Sequence, residues 1–259
     1  MGLERWSSAP AIYEQAVVKS ERLSRVNVGP LGCHLERDRA MGSMPKASKA
    51  LLAELLLAGL LLGYGWFSVY RLVLLLLLAS QSLWVRGLGW ADLGLARPRV
   101  VWRAVVQGAV AAAAILAAVR VVIVPLAVRV TGAAVDLSAM EDIRGDASAL
   151  WPWLAQAWTL AAFGEEMVFR GYLIGRVADL AGHSRIGAAA GLLVSSVFFG
   201  WAHRYLGPAG MLATGCMGAL LGLLYIATRN LWPVIICHAL VDTVSLLVVY
   251  SGHGSWLFP

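Results

Sequence analysis

Residues 231–250 read LWPVIICHALVDTVSLLVVY. This stretch decides the class of the protein. A membrane crossing takes ~20 predominantly apolar residues, and the stretch supplies 20. Its His238 and Asp242 are ionisable groups in a setting where each is costly. Composition extends the reading to the whole chain. Of 259 residues, 59% are hydrophobic and 14% charged. Soluble domains run at roughly 45–50% apolar and about 25% charged. A soluble core of this size cannot hide the excess. Disorder, a collagen repeat and a disulfide scaffold are excluded as descriptions of the whole chain. The expected fold is all-α, a polytopic membrane helix bundle of about seven or eight transmembrane helices.

Working outward from 231–250, further apolar blocks lie at 50–70, 72–85, 104–130, 149–180, 186–206 and 209–228. The block at 72–85 is short. Arg71 marks either the tip of a tight hairpin or the middle of one long bent helix. Arg120 and Pro125 interrupt 104–130, and Trp151-Pro152-Trp153 suits an interfacial helix start. Gly59/Gly63 and Gly218/Gly222 are GxxxG pairs that permit close helix contact. Cys33, Cys216 and Cys237 form no CxxC pair. The two in apolar segments are expected to be buried free thiols.

The formal net charge is +6. The basic residues sit between apolar blocks, which is a topology signal rather than a nucleic-acid footprint. The segments 86–103 and 176–185 and Arg229 are basic, whereas the 131–148 loop holds Asp136, Glu141, Asp142 and Asp146 against Arg144. Positive-inside counting puts the N-terminus in the cytoplasm and the acidic loop outside, with seven crossings. Residues 1–49 carry 13 of the 36 acidic and basic residues. No apolar h-region follows a short basic start, so no signal peptide is read there. A poorly ordered polar tail is expected over 1–49, with Met41 and Met44 as alternative starts. The bundle occupies 50–250, and 251–259 is a short C-terminal tail.

Ionisable residues inside the spans are the informative ones. Glu54, Arg71 and Arg120 occur singly and are expected to snorkel or pair locally. The others form a pattern: Glu165-Glu166…Arg170 on one span, Phe199…His203 on the next, His238…Asp242 on the last. Glu166 and Arg170 are four apart, hence on one helix face. Glu165 points ~100° away and calls for a partner on another helix or a role of its own. Asp242, four residues after His238, can orient the imidazole or share a ligand with it.

Glu and His are natural bases for activating water. Two His with carboxylates can equally hold zinc with an open position. Either suits hydrolysis. There is no HExxH and no GxSxG elbow, and Asp242 has no second intramembrane Asp to form an aspartyl dyad.

Three motifs in this order, EExxxR, FxxxH and HxxxD, with the polar turn Thr228-Arg229-Asn230 before the third, resemble the CPBP family. These are the CAAX proteases and bacteriocin-processing enzymes, also called Abi proteins. The resemblance covers about residues 149–250. It implies an intramembrane endopeptidase acting on a membrane-associated or exported polypeptide. Glu165 would be the water-activating base assisted by His203, and Glu166 a second acid paired with Arg170. Arg170 and Phe199 would give structural support. His238 and Asp242 would polarise the scissile carbonyl or bind metal. The metal option is zinc, with Glu165, His203, His238 and Asp242 as its ligands; no organic cofactor and no nucleic acid is expected. Asp242 stands where the family commonly has Asn. An ionised Asp only accepts hydrogen bonds, so it fits a ligand, an orienter of His238, or a protonated acid.

The alternative readings are a catalytically silent immunity or scaffold relative, and a transporter or proton relay. An Ala/Leu/Arg/Gly-rich composition points to a bacterial cytoplasmic membrane. Counting ~1.5 Å per residue, Glu165 lies about 21 Å from Trp151 and His238 about 9 Å from Trp232. On that count the two share a depth, while His203 sits at the outer end of its span.

Overall fold

The computed structural model describes residues 46–63, 69–96, 100–181 and 184–258. Residues 1–45 of the expected tail, the alternative starts and Cys33 lie outside the described residues, while residues 46–49 of that tail open α1. No strand occurs among the described residues. The helices are α1 (Lys46–Gly63), α2 (Val69–Val85), α3 (Val101–Thr131), α4 (147–180), α5 (Arg185–Ala202), α6 (Gly207–Thr228), α7 (Leu231–Tyr250) and α8 (Gly254–Leu257). Four are long and apolar enough to cross a membrane: α3, α5, α6 with the turn before it, and α7. The 17-residue α2 is apolar but shorter.

Each helix end has a local cause. Asp146 caps α4, its carboxylate accepting from the Ser148 and Ala149 amides. The Ser148 hydroxyl and these amides hold the Asp146 carboxyl below its ordinary range. Ser184 caps α5 through the Gly187 amide. Asn230 caps α7 through the Trp232 amide at 2.9 Å, and Arg229 reverses the chain before it at φ 52°. Pro208 falls in the first turn of α6, where no intrahelical N–H is lost, whereas Pro152 lies inside α4, where the missing N–H removes one helical bond. In α3 the backbone shifts to π-helical bonding over Val119–Ile123. Pro125 follows at the restart of α-helical bonding, and α3 continues without a break.

One helix ends at Gly63 and the next begins at Val69, so Arg71 lies in the first turn of α2 and not at a hairpin tip. Glu54, near the start of α1, meets Ser82 and Arg86 at the end of α2, so the two helices run antiparallel. Glu54 neither snorkels nor pairs locally. Its Oε1 accepts from the Ser82 and Tyr172 hydroxyls, each at 2.5 Å, and its Oε2 pairs with Arg86 at 2.8 Å. Tyr172 belongs to α4, so this carboxylate ties three helices together. Tyr172→Phe is expected to lower stability by about 1 kcal/mol. A hydrogen bond to a charge is worth about 1.5–3 kcal/mol in water, but polar contacts between membrane helices average nearer 0.6. Unfolding in mixed micelles measures the difference.

The core is built where α5 packs along α6 and α7 along α3. Gly200 makes the first contact possible: a Cβ there would lie 2.6 Å from the Met211 carbonyl oxygen. A Cβ on Gly218 would press on the Phe199 ring at 3.0 Å. Of the two GxxxG pairs, Gly218/Gly222 is tightly packed, whereas Gly63 has open space. Cys237 is buried as expected, but Cys216 is exposed. An apolar segment in a bundle has an outer face, and Cys216 lies on it.

Candidate active site

The motif helix α4 is the irregular one. Its backbone is π-helical over Ala157–Glu165 and again over Met167–Leu173. Such i→i+5 stretches are rare and frequent at functional sites. They place more residues in each turn, so a count at 1.5 Å per residue overstates the depth of Glu165. Glu165 and His203 line one cavity although the count separated them.

The candidate residues divide into two layers. In the rear layer, Glu166 and Arg170 are completely buried and His238 is 1% exposed. Glu166 Oε1 accepts from Arg170 at 2.7 Å and from His238 Nδ1 at 2.7 Å. Arg170 also donates to the Gly218 carbonyl at 3.1 Å. Its guanidinium lies 4.2 Å from the centre of the Phe199 ring. Phe199 packs edge-on against Phe169, with ring centres 5.2 Å apart, and against His238 at 5.7 Å. The arrangement makes Glu166 a shared acceptor that fixes both α7 and the π-helical stretch of α4.

In the front layer, Glu165, His203 and Asp242 line a cavity of about 170 Å³. At ~30 Å³ per molecule, that volume admits several waters. Its walls are mainly apolar and include Val135, Leu137 and Met140 from the acidic loop side. Phe258 from the C-terminal segment also lines it. Glu165 is buried, and its Oε2 has no hydrogen-bond partner among the described residues. His203 follows the last residue of α5, and its Nδ1 lies 2.8 Å from the Phe199 carbonyl oxygen. A carbonyl can only accept, so Nδ1 carries the proton. In the neutral imidazole this leaves Nε2 with a free lone pair. Asp242 Oδ2 is 3.5 Å from His238 Nε2, an ion-pair distance rather than a hydrogen bond. Asp242 thus links the two layers, as does His203, whose ring centre lies 4.7 Å from that of Phe199.

A carboxylate and an imidazole lone pair facing one apolar chamber can take a proton from water. A zinc ion would need a set of converging donors. Among the described residues, no three His, Cys, Asp or Glu side chains converge as a ligand group. His238 already has Nδ1 on Glu166 and Nε2 toward Asp242. As placed, these residues do not fit a zinc site, and no step below passes through a metal.

The sequence reading missed Tyr205, which lines the same cavity with its ring centre 5.8 Å from that of His203. The available signal was its position two residues after the FxxxH motif. It also missed Tyr172, two residues after Arg170, as the anchor of Glu54.

No curated protein and no solved structure matches the chain. A protein-family model described as type II CAAX prenyl endopeptidase Rce1-like matches residues 147–244. The match begins with the first residue of α4 and ends two residues past Asp242, so it contains all three motifs. Over this stretch the chain is similar to that family of CAAX proteases, in keeping with the resemblance of the motifs.

Proposed function

We propose that the protein is an intramembrane endopeptidase that hydrolyses a peptide bond of a membrane-associated or exported polypeptide. One observation carries the reading: Glu165 lines the same cavity as His203, and its buried Oε2 has no hydrogen-bond partner among the described residues. Glu165 removes the proton from a water molecule, and His203 assists through its free Nε2. Asp242 borders the same water-sized space. Glu166, Arg170 and His238 hold this front layer in position rather than react.

In this reading α1 to α7 are seven crossings. The basic 86–103 and 176–185 segments and the N-terminus face the cytoplasm of a bacterial cell. The cavity then lies in the outer half of the bundle, nearer the acidic loop, in keeping with an exported substrate. His203→Ala is expected to reduce cleavage about 10²–10⁴-fold, the usual contribution of a positioned acid or base, while the protein stays folded. The check is cleavage of candidate polypeptides by the full chain in vesicles, with metal content measured on the same preparation. Undiminished cleavage by the variant would remove His203 from the mechanism. Loss of wild-type activity on chelation, restored by zinc, would reinstate the metal option.

A further inference from the structure

Hydrolysis of an amide puts negative charge on the carbonyl oxygen, and the largest catalytic contribution usually comes from hydrogen-bond donors aimed at it. The front layer identified above is made of acceptors. Ionised Glu165 and Asp242 only accept, and the neutral His203 Nε2 also accepts. A donor must come from elsewhere in the cavity. Its other side chains with N–H or O–H groups are Trp153, twelve residues before Glu165 on α4, and Gln156, Tyr205, Thr214 and Ser245. The Thr214 hydroxyl donates to the Gly210 carbonyl at 2.8 Å, and the Ser245 hydroxyl donates to the Val241 carbonyl at 2.9 Å. Both protons are occupied within their own helices. Gln156 stands nine residues before Glu165 on α4 and is exposed. Tyr205 has its ring centre 5.8 Å from that of His203 and lines the cavity with Glu165 and Asp242. Its hydroxyl makes no hydrogen bond to another described residue.

We infer that Tyr205 is a further catalytic residue, whose hydroxyl donates a hydrogen bond to the carbonyl oxygen of the bond being cleaved. This inference rests on the peptidase reading. In the first step, a water proton passes to Glu165 and the water oxygen bonds to the carbonyl carbon. The C=O π pair moves onto oxygen, where the Tyr205 O–H holds it without giving up its proton. In the second step, the C=O bond re-forms and the C–N bond breaks. The leaving nitrogen takes the proton from Glu165. The sum is addition of one water across one amide. The short Arg204–Leu206 turn carries Tyr205 between α5 and α6, so the donor and the His203 imidazole are set by the same bend.

The test compares the wild type with Tyr205→Phe, Gln156→Ala and Glu165→Gln. Each is the full chain in phosphatidylcholine vesicles, assayed on a pool of fluorogenic apolar peptides of roughly membrane-spanning length. The fastest-cleaved peptide is carried into kinetics. Tyr205→Phe is expected to lower kcat about 10²–10³-fold, the loss typical of one oxyanion donor, with KM within about twofold. Because the hydroxyl has no protein partner to lose, the variant melts with the wild type. A destabilised variant would contradict the geometry and overturn the inference. If Glu165→Gln is inactive while Tyr205→Phe keeps wild-type kcat, Tyr205 is not the donor and the peptidase reading stands. The loss appearing in Gln156→Ala instead would assign the role to Gln156. Cleavage by Glu165→Gln at the wild-type rate, or no cleavage of any peptide by the wild type, overturns the peptidase reading and this inference with it.

Discussion

Glu165→Gln is expected to lower kcat/KM by about 10²–10⁴-fold without disturbing the fold. Loss of a positioned general base has that size. The amide has nearly the shape of the carboxylate but cannot take up a proton. The structural half of the expectation follows from pairing. Glu165 is buried among α4 residues, lines the cavity, and leaves Oε2 without a protein partner. Nothing in the described structure relies on its charge. An unpaired carboxylate in an apolar wall is itself unfavourable, so the melting temperature in detergent should stay level or rise. Peptide cleavage and a thermal scan on the same preparation check both halves. Activity above a tenth of wild type would end the assignment of Glu165 as base.

Arg170→Ala should do the reverse, acting on stability first. Arg170 and Glu166 are wholly buried and 2.7 Å apart. Removing one member of such a pair strands the other charge, which costs about 3–5 kcal/mol. The substitution also frees the Gly218 carbonyl and empties the space over the Phe199 ring. The expected result is a large loss of folded protein on denaturant titration in mixed micelles. Arg170→Ala combined with Glu166→Ala should cost less than the two singles added, since contacting residues couple by about 0.5–3 kcal/mol. A single variant that unfolds with the wild type would show that Arg170 does not brace the site.

The two outcomes separate the layers that the sequence could only partly separate. Ionisable residues stood out because so few occur inside the apolar blocks, and a four-residue spacing identified Glu166–Arg170 and set Glu165 apart. Helix existence was legible for the same reason; α7 was read to the residue. Three things were not legible. The pairing of Glu166 with His238 spans 72 residues, and no local spacing encodes it. The depth of Glu165 depends on a π-helical backbone that is invisible in a residue count. Glu54 looked solitary because its partners arrive from α2 and α4, and the meeting of three helices is a property of packing rather than of period. Charge asymmetry between loops informs topology but says nothing of such contacts.

The Glu54 cluster also bears on how the protein is made. Chains emerge N-terminus first at roughly 5–20 residues per second. Ser82 follows Glu54 by 28 residues and Arg86 by 32, so the α1–α2 hairpin can satisfy this carboxylate soon after insertion. Tyr172 comes 118 residues after Glu54, roughly 6–24 seconds later at those rates. The α1–α2 pair therefore satisfies Glu54 first, and Tyr172 latches it when the motif helix arrives.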